Sequence, residues 1–365
     1  MVDKKRRVCL VALGNIYSMP YLLKYVNLIN CDYDIIYWNR AGVEETSNAV
    51  NTFAFDYVIN RNCSKFTKLL GYIRFKFFAT DILEKNDYNA VVLLTSNVAV
   101  LLKSVLLKKY NGKYIIDIRD YFYENNRFYY EREKKVIEHS RLAVISSKAY
   151  ETFLPKHDYT IVHNSPSISD EQLIRYIKKR NMFLQSHKDY PIVLSYIGGV
   201  RFIEQDKKIL KLFGNDNRFL IRYIGVGSNV LKEYCHKEGI NNTFFHDRFR
   251  PEETINFYSD TDFILNLYGH GTPFLDYALS NKLYYAATLR IPILVCPGTY
   301  MEEISTKYGF GVTMDINEKE SADIIVNCFR RMDNEKMLTG CKQFCEIVEK
   351  DNIVWKTKVR EALGC

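Results

Sequence analysis

Short apolar runs recur along the chain, each followed by a longer stretch in which apolar positions return at helical spacing. In the first half the runs fall at 7–13, 32–38, 90–96, 113–118, 142–147 and 160–163, with helical segments at 64–84, 97–110 and 126–139. Ala90-Val91-Val92-Leu93-Leu94 is apolar without a break. Unbroken runs, unlike alternating ones, mark strands buried on both faces of a parallel sheet. The pattern predicts an α/β doubly wound fold. After a polar helical segment at 170–187 it restarts, with runs at 192–199, 219–225, 243–246, 262–268, 292–296 and 310–314. We read two Rossmann-like domains, 1–165 and 191–350, joined by a linker at 166–190. A final helix in 351–365 is expected to pack back on the first domain.

Composition agrees with two domains. The 365 residues exceed the roughly 250–300 at which one hydrophobic core stops growing. No apolar stretch approaches the ~18–20 residues of a membrane span. The basic Asp3-Lys4-Lys5-Arg6-Arg7 leads into a run that reads as a first buried strand, too short for a secretory signal. Nine cysteines stand singly, none in a CxxC pair, which suits reduced thiols in a cytosolic protein. The net charge of +8 is uneven: residues 1–165 carry 24 Lys/Arg against 17 Asp/Glu, and 166–365 carry 27 against 26. Any anionic partner is expected at the first half. Despite 28 Tyr and 22 Phe, the charge is modest and no DNA or RNA motif is present, so a nucleic-acid partner is excluded.

The candidate chemistry lies at the carboxyl ends of the second set of strands, where open α/β sheets bind ligands. The first ends in Gly198-Gly199-Val200-Arg201, with Lys207 and Lys208 following on the next helix. Glycines let a backbone approach a phosphate, helix N-termini favour anions, and arginine grips two phosphate oxygens at once. The same residues also read as a tight turn before a solvated basic helix. Next come Gly225-Val226-Gly227, the segment His246-Asp247-Arg248-Phe249-Arg250, and Tyr268-Gly269-His270-Gly271, which leads to Asn281-Lys282. No DxD motif or metal-ligand spacing stands at a strand end.

In this order the segments resemble the retaining GT-B glycosyltransferases of family 4, with which bacteria build capsular and other surface polysaccharides. That resemblance implies two Rossmann-like domains facing a central cleft. It also implies a diphosphate clamp at Arg201 and Lys207, glycine turns at Gly198, Gly199, Gly225 and Gly227, and a nucleobase beside Arg248 and Phe249. Asn281-Lys282-Leu283-Tyr284-Tyr285-Ala286-Ala287 is similar to the family's NKLxEAxALGxP helix, with His270 in the loop before it. The family carries two glutamates seven residues apart here; this chain has Tyr285 at the second position, Tyr277 near the first and Asp276 as the nearest acid. Ribose recognition is then expected from Asn281, Lys282 or another group. In the first domain, Gly14-Asn15-Ile16-Tyr17 resembles the acceptor loop, and Arg119 and Asp120 stand where the family places a polar residue near the reacting sugar. An Asp–Arg pair capping the next helix is the other reading of that strand end.

The resemblance implies transfer of a hexosyl or N-acetylhexosaminyl group from a UDP-linked donor to a lipid-linked oligosaccharide or surface-polysaccharide acceptor. Anomeric retention is implied, with neither metal nor further cofactor, at the inner face of the cell membrane beside other polysaccharide-assembly proteins. Two alternatives stay open: an inactive GT-B-like partner subunit, and a UDP-sugar 2-epimerase of the same architecture. A membrane contact is expected in 65–78. There Lys65, Lys68, Tyr72 and Lys76 share one helical stripe and Phe66, Leu69, Leu70, Ile73 and Phe77 form the adjoining core face. Phe75 and Phe78 fall outside that face and are expected exposed, as suits an anionic bilayer.

Overall fold

The computed structural model describes residues 6–60, 63–187, 191–318 and 321–364. Lys4 and Lys5 of the basic N-terminus, the linker end at 188–190 and Cys365 lie outside them. The chain separates into two compact units, residues 1–163 with 349–365, and residues 164–348.

The first unit runs β1 (Arg7–Ala12), α1 (Pro20–Val26), β2 (Asp32–Asn39), β3 (Asn51–Asp56), α2 (Lys65–Lys85), β4 (Ala90–Leu94), α3 (Ser96–Leu101), α4 (Lys103–Lys109), β5 (Tyr114–Ile118), α5 (Arg127–Glu138), β6 (Leu142–Ile145) and β7 (Tyr159–Ile161). The strands form one parallel sheet in the order β3-β2-β1-β4-β5-β6-β7. The unbroken runs of β4 and β5 are wholly buried. Two elements escape the sequence pattern. The short α1 opens on Pro20, and β3 is a half-exposed edge strand with no fully buried residue and no long apolar run. The run read as strand to Ser96 stops at Leu94, because Thr95 adopts φ 113° before α3. The helix expected over 97–110 is interrupted at Leu102.

Helix α2 sits the other way round from the expected pattern. Phe75, expected exposed, is fully buried. Its ring stacks on Trp38 at 5.9 Å, while Phe78 is half-buried against Phe55 at 5.5 Å. Four of the five residues assigned to the core instead face solvent: Phe66 is 74% exposed and Phe77 68%, with Leu69 and Ile73 between them, while Leu70 is half-buried. The reason is a notch. A Cβ on Gly71 would fall 2.5 Å from the Trp38 indole, so only the face carrying the glycine can close on that ring. No described helix is long and apolar enough to cross a membrane.

The second unit runs α6 (Asp170–Ser186), β8 (Ile192–Ile197), α7 (Ile203–Phe213), β9 (Phe219–Ile224), α8 (Ser228–Glu238), β10 (Thr243–His246), α9 (Thr254–Tyr258), β11 (Phe263–Asn266), α10 (Pro273–Asp276), α11 (Asn281–Leu289), β12 (Ile293–Val295), α12 (Tyr300–Lys307), β13 (Gly311–Thr313), α13 (Ser321–Arg331) and α14 (Asn334–Leu363). Its parallel sheet has the order β10-β9-β8-β11-β12-β13. Helix α6 starts with a Ser169–Gln172 capping box and joins this unit's core through Tyr176, whose hydroxyl donates to the Leu289 carbonyl at 2.8 Å.

Helix α14 is shared between the units. Met337, Cys341, Phe344 and Val348 lie in the core of the second; Trp355, Val359, Ala362 and Leu363 lie in that of the first. In the first unit, Trp355 meets Tyr25 edge-on at 5.4 Å. The points where the chain leaves and re-enters this unit are tied together. His163 Nε2 lies 3.0 Å from Asp351 Oδ2, and the His163 amide donates to Asn352 Oδ1 at 2.9 Å.

Gly71→Val fills the notch under Trp38. It is expected to lower the unfolding free energy by about 1–3 kcal/mol, the range of an overpacked core, read from urea denaturation. An unchanged midpoint would show that the notch does not hold α2.

Candidate functional site

In each unit the strand order reverses beside the first strand, which puts a crevice at the carboxyl ends of two neighbouring strands. In the second unit these are β8 and β11. The turns after β8 and β9 run side by side: the Gly198 amide donates to the Ile224 carbonyl at 2.8 Å and the Val200 amide to the Val226 carbonyl at 2.9 Å. Side chains are excluded there. Gly225 has φ 138°, and a Cβ on it would stand 2.1 Å from the Gly198 carbonyl oxygen. Gly227 caps α8 in the left-handed conformation.

Lys282 lies against this glycine pair. It is 4% exposed, and a Cβ on Gly198 would come 3.9 Å from its ammonium. The ammonium stands 3.5 Å from the Tyr196 ring centroid and donates to the Tyr268 hydroxyl at 2.5 Å. Burial alone would raise the Tyr268 phenol, but the Lys282 charge and hydrogen bonds outweigh it and hold the phenol below its ordinary range. Tyr196 donates to the Gly199 carbonyl at 2.7 Å, which ties the cluster to the turn. Asp206 completes it. The residue is 2% exposed and accepts from the Tyr223 hydroxyl at 3.1 Å, while its second oxygen has no hydrogen-bond partner. Burial pushes its carboxyl up to about 7, against the pull of Tyr223 and Lys282.

The other expected residues of this unit are placed differently. Arg201 is exposed. Lys207 is turned along α7 to Glu204 at 2.8 Å and lies 5.5 Å from the Tyr234 ring. Arg248, His270 and Asn281 are exposed, and Phe249 is half-buried, edge-on to Phe257 at 5.1 Å. Asp276 is engaged in accepting the Gly271 amide at 2.7 Å. Tyr285 stacks on buried Tyr258 at 5.0 Å, packed on the core.

In the first unit β1 and β4 flank a cavity of about 690 Å³ that includes Gly14, Asn15, Arg40, Lys68, Tyr72 and Thr95 in its lining. The loop after β1 is held by its own side chain. Asn15 Oδ1 accepts the amides of Arg40 and Ala41, each at 3.0 Å, and its Nδ2 donates to Asn39 and to Glu45, each at 2.8 Å. Arg119 is not presented to a ligand as a free cation. It forms a buried two-pronged pair with Asp117, with both contacts at 2.7 Å, and its guanidinium lies 4.8 Å from the Tyr21 ring centroid. Asp120 beside it is half-buried. Among the described residues no group of three or more His, Cys, Asp or Glu is placed to hold a metal ion.

No protein-family model and no curated sequence matches the chain. Solved structures do match over nearly all of it. Sucrose-phosphate synthase from Thermosynechococcus elongatus superposes with a TM-score of 0.68 at 9% identity, covering 99% of this chain and 94% of that one. The Anabaena protein HepE in complex with UDP gives 0.65 at 11%, covering 98% and 99%. UDP-N-acetylglucosamine 2-epimerase from Rickettsia bellii gives 0.56 at 12%, covering 98% and 94%. The fold is GT-B.

Within this GT-B fold, sequence reasoning named the glycines, Lys282 and the segment opened by Tyr268, but not Tyr196 or Asp206. Tyrosines inside apolar runs look like core residues, and Asp206 looks like one acid of an ordinary first helical turn. Asp206 stays protonated in the fold up to about pH 7 and ionises near pH 4 when unfolded. Its stabilising contribution is therefore complete below about pH 4 and lost as pH rises through about 7. Asp206→Asn keeps an acceptor for Tyr223 and cannot ionise. Its stability relative to wild type is expected to rise between about pH 4 and 7 and then level, by about 1.4 kcal/mol for each pKa unit separating folded from unfolded. Urea unfolding of both proteins across that range checks it; a pH-independent difference would mean that Asp206 folds as an anion.

Proposed function

We propose that the chain is a glycosyltransferase whose second unit binds a nucleotide-diphosphate sugar and whose first unit receives the acceptor. One observation carries the reading: a buried ammonium, Lys282, set against two interlocked glycine turns at the switch point of the sheet. Glycine turns admit a diphosphate closely, and a cation held in a low-dielectric wall acts strongly on charge that develops beside it. As the glycosidic bond breaks, the leaving diphosphate gains negative charge. Lys282, already fixed in the wall, then stabilises it without reorganising, and exposed Arg201 closes on it. Lys207, paired with Glu204, is the lesser contributor. Gly198, Gly199, Gly225 and Gly227 admit the phosphates, Arg248 and Phe249 flank the base, and His270 and Asn281 rim the site. Tyr285 backs the pocket wall through Tyr258. A UDP-linked donor is supported by the similarity to a UDP-bound protein of the same fold. Retention of configuration, and transfer without a divalent ion, follow the resemblance to family 4, as does an acceptor of the surface-polysaccharide type.

The outward stripe of α2 supports a lipid-linked acceptor. Phe66, Leu69, Ile73 and Phe77 are exposed at helical spacing, with Lys65, Arg74 and Lys76 beside them. That is the chemistry of an anionic bilayer surface.

Thermal unfolding in the presence of UDP, GDP, CMP and dTDP tests the donor site. UDP is expected to raise the midpoint by a few degrees, since a ligand at about a hundred times its Kd adds about 2.7 kcal/mol, and Lys282→Met should abolish the rise. A protein indifferent to every nucleotide, or one that isomerises UDP-N-acetylglucosamine with no acceptor present, would overturn the reading. Vesicles rich in phosphatidylglycerol should sediment the protein at low salt. Phe66→Ser with Phe77→Ser should release it while leaving the unfolding midpoint unchanged, and equal sedimentation of both proteins would remove the membrane role.

A further inference from the structure

Two buried carboxyls of the first unit face each other with too few donors between them. Glu124, in the loop after β5, and Glu133, on the inner face of α5, are 7% and 0% exposed. Glu124 Oε2 accepts the Phe122 amide at 2.6 Å, but its Oε1 is buried with no hydrogen-bond partner. Neither oxygen of Glu133 has one either. Each side chain acts directly on the other. Were both ionised, three buried oxygens would lack a donor and the two charges would repel.

The surroundings bring no cation to relieve this. Around the pair stand the Ser96 hydroxyl at the start of α3, the Tyr129 phenol on α5 with Tyr123 beside it, and the Tyr159 phenol on β7, while Tyr150 in the turn at 148–152 faces Glu124. Arg132 and Lys135 of α5 act instead on Lys103 of α4. Among the described residues no cation acts on either carboxyl. Burial, and then the Glu124 charge, push the Glu133 carboxyl up to about 8. Burial raises Glu124 as well, but backbone amides, that of Phe122 among them, favour its anion. The pair backs one side of the cavity. Phe122, whose amide Glu124 holds, lines it, and so does Thr95, next to Ser96.

We propose that Glu133 carries a proton which it donates to Glu124, and that this proton fixes the loop at 119–126 and with it the Phe122 side of the cavity. Neither carboxyl lines the cavity; both are positioning residues that act through Phe122. The inference does not depend on the transferase reading. Once the proton is lost, two buried anions repel, and the loop opens to hydrate them.

Amide hydrogen exchange of the full chain across about pH 5 to 9, corrected for the intrinsic rate, tests it. Closed, Glu133 keeps its proton up to about 8; opened to water, it ionises at about 4.3. The loop's stability against opening is therefore complete below about pH 4 and lost as pH rises through about 8. Protection of 119–126 should fall by up to about tenfold per pH unit between about pH 5 and 8, one proton being released per opening, and then level. Glu133→Gln offers Glu124 the same hydrogen bond from an amide that does not ionise, and should flatten the slope. Glu124→Gln removes the neighbouring charge and brings Glu133 a donor, so it should move the fall to lower pH. Circular dichroism checks both folds. No slope in the wild type, or the same slope in Glu133→Gln, would overturn the inference. An equal fall in β5 would do so too, because the proton would then hold the whole unit. Should Glu133→Gln fail to fold, an unmoved fall in Glu124→Gln decides against it.

Discussion

An ammonium taken out of water costs several kcal/mol unless its surroundings replace the lost hydration, and the second unit is arranged around that constraint. Lys282 is held by ring faces and one phenol oxygen instead of a carboxylate. A paired carboxylate would have spent the charge. Aromatic faces stabilise a cation without cancelling its field, so the wall stays electropositive toward the crevice. The neighbouring Asp206 fits the same logic in part, since burial raises its carboxyl to about 7 and leaves it only about half ionised at neutral pH.

The two parallel sheets were legible because buried strands read as unbroken apolar runs, and most of their boundaries fall within two residues of the observed ones. What escaped was whatever broke that rule. Asn51–Asp56 is a half-exposed edge strand whose apolar run is only three residues long, and Pro20–Val26 is too short to show a period. At the site, the glycines stood out at strand ends, though the same pattern also reads as ordinary tight turns. The roles of the cations were less legible, although the spacing held clues. Glu204 and Lys207 are three apart on a helix, a natural pair. Asp117 and Arg119 are two apart at a strand end, so their side chains share a face.

Helix α2 serves three surroundings at once. Gly71, Phe75 and Ala79 meet the core, Lys68 and Tyr72 line the cavity, and Phe66, Leu69, Ile73 and Phe77 look outward. Part of the positive charge of the first half lies on this helix, at Lys65, Lys68, Arg74 and Lys76, and at Arg40 just after β2.

That helix has two greasy sides of comparable appetite for burial, so hydrophobicity gives it no preferred roll. The vote is cast by a missing methyl group at Gly71, into which the edge of Trp38 fits. Which residues the protein shows to the world along α2 is thus decided by a single hollow on the opposite side, and two chains with the same apolar content could wear opposite surfaces.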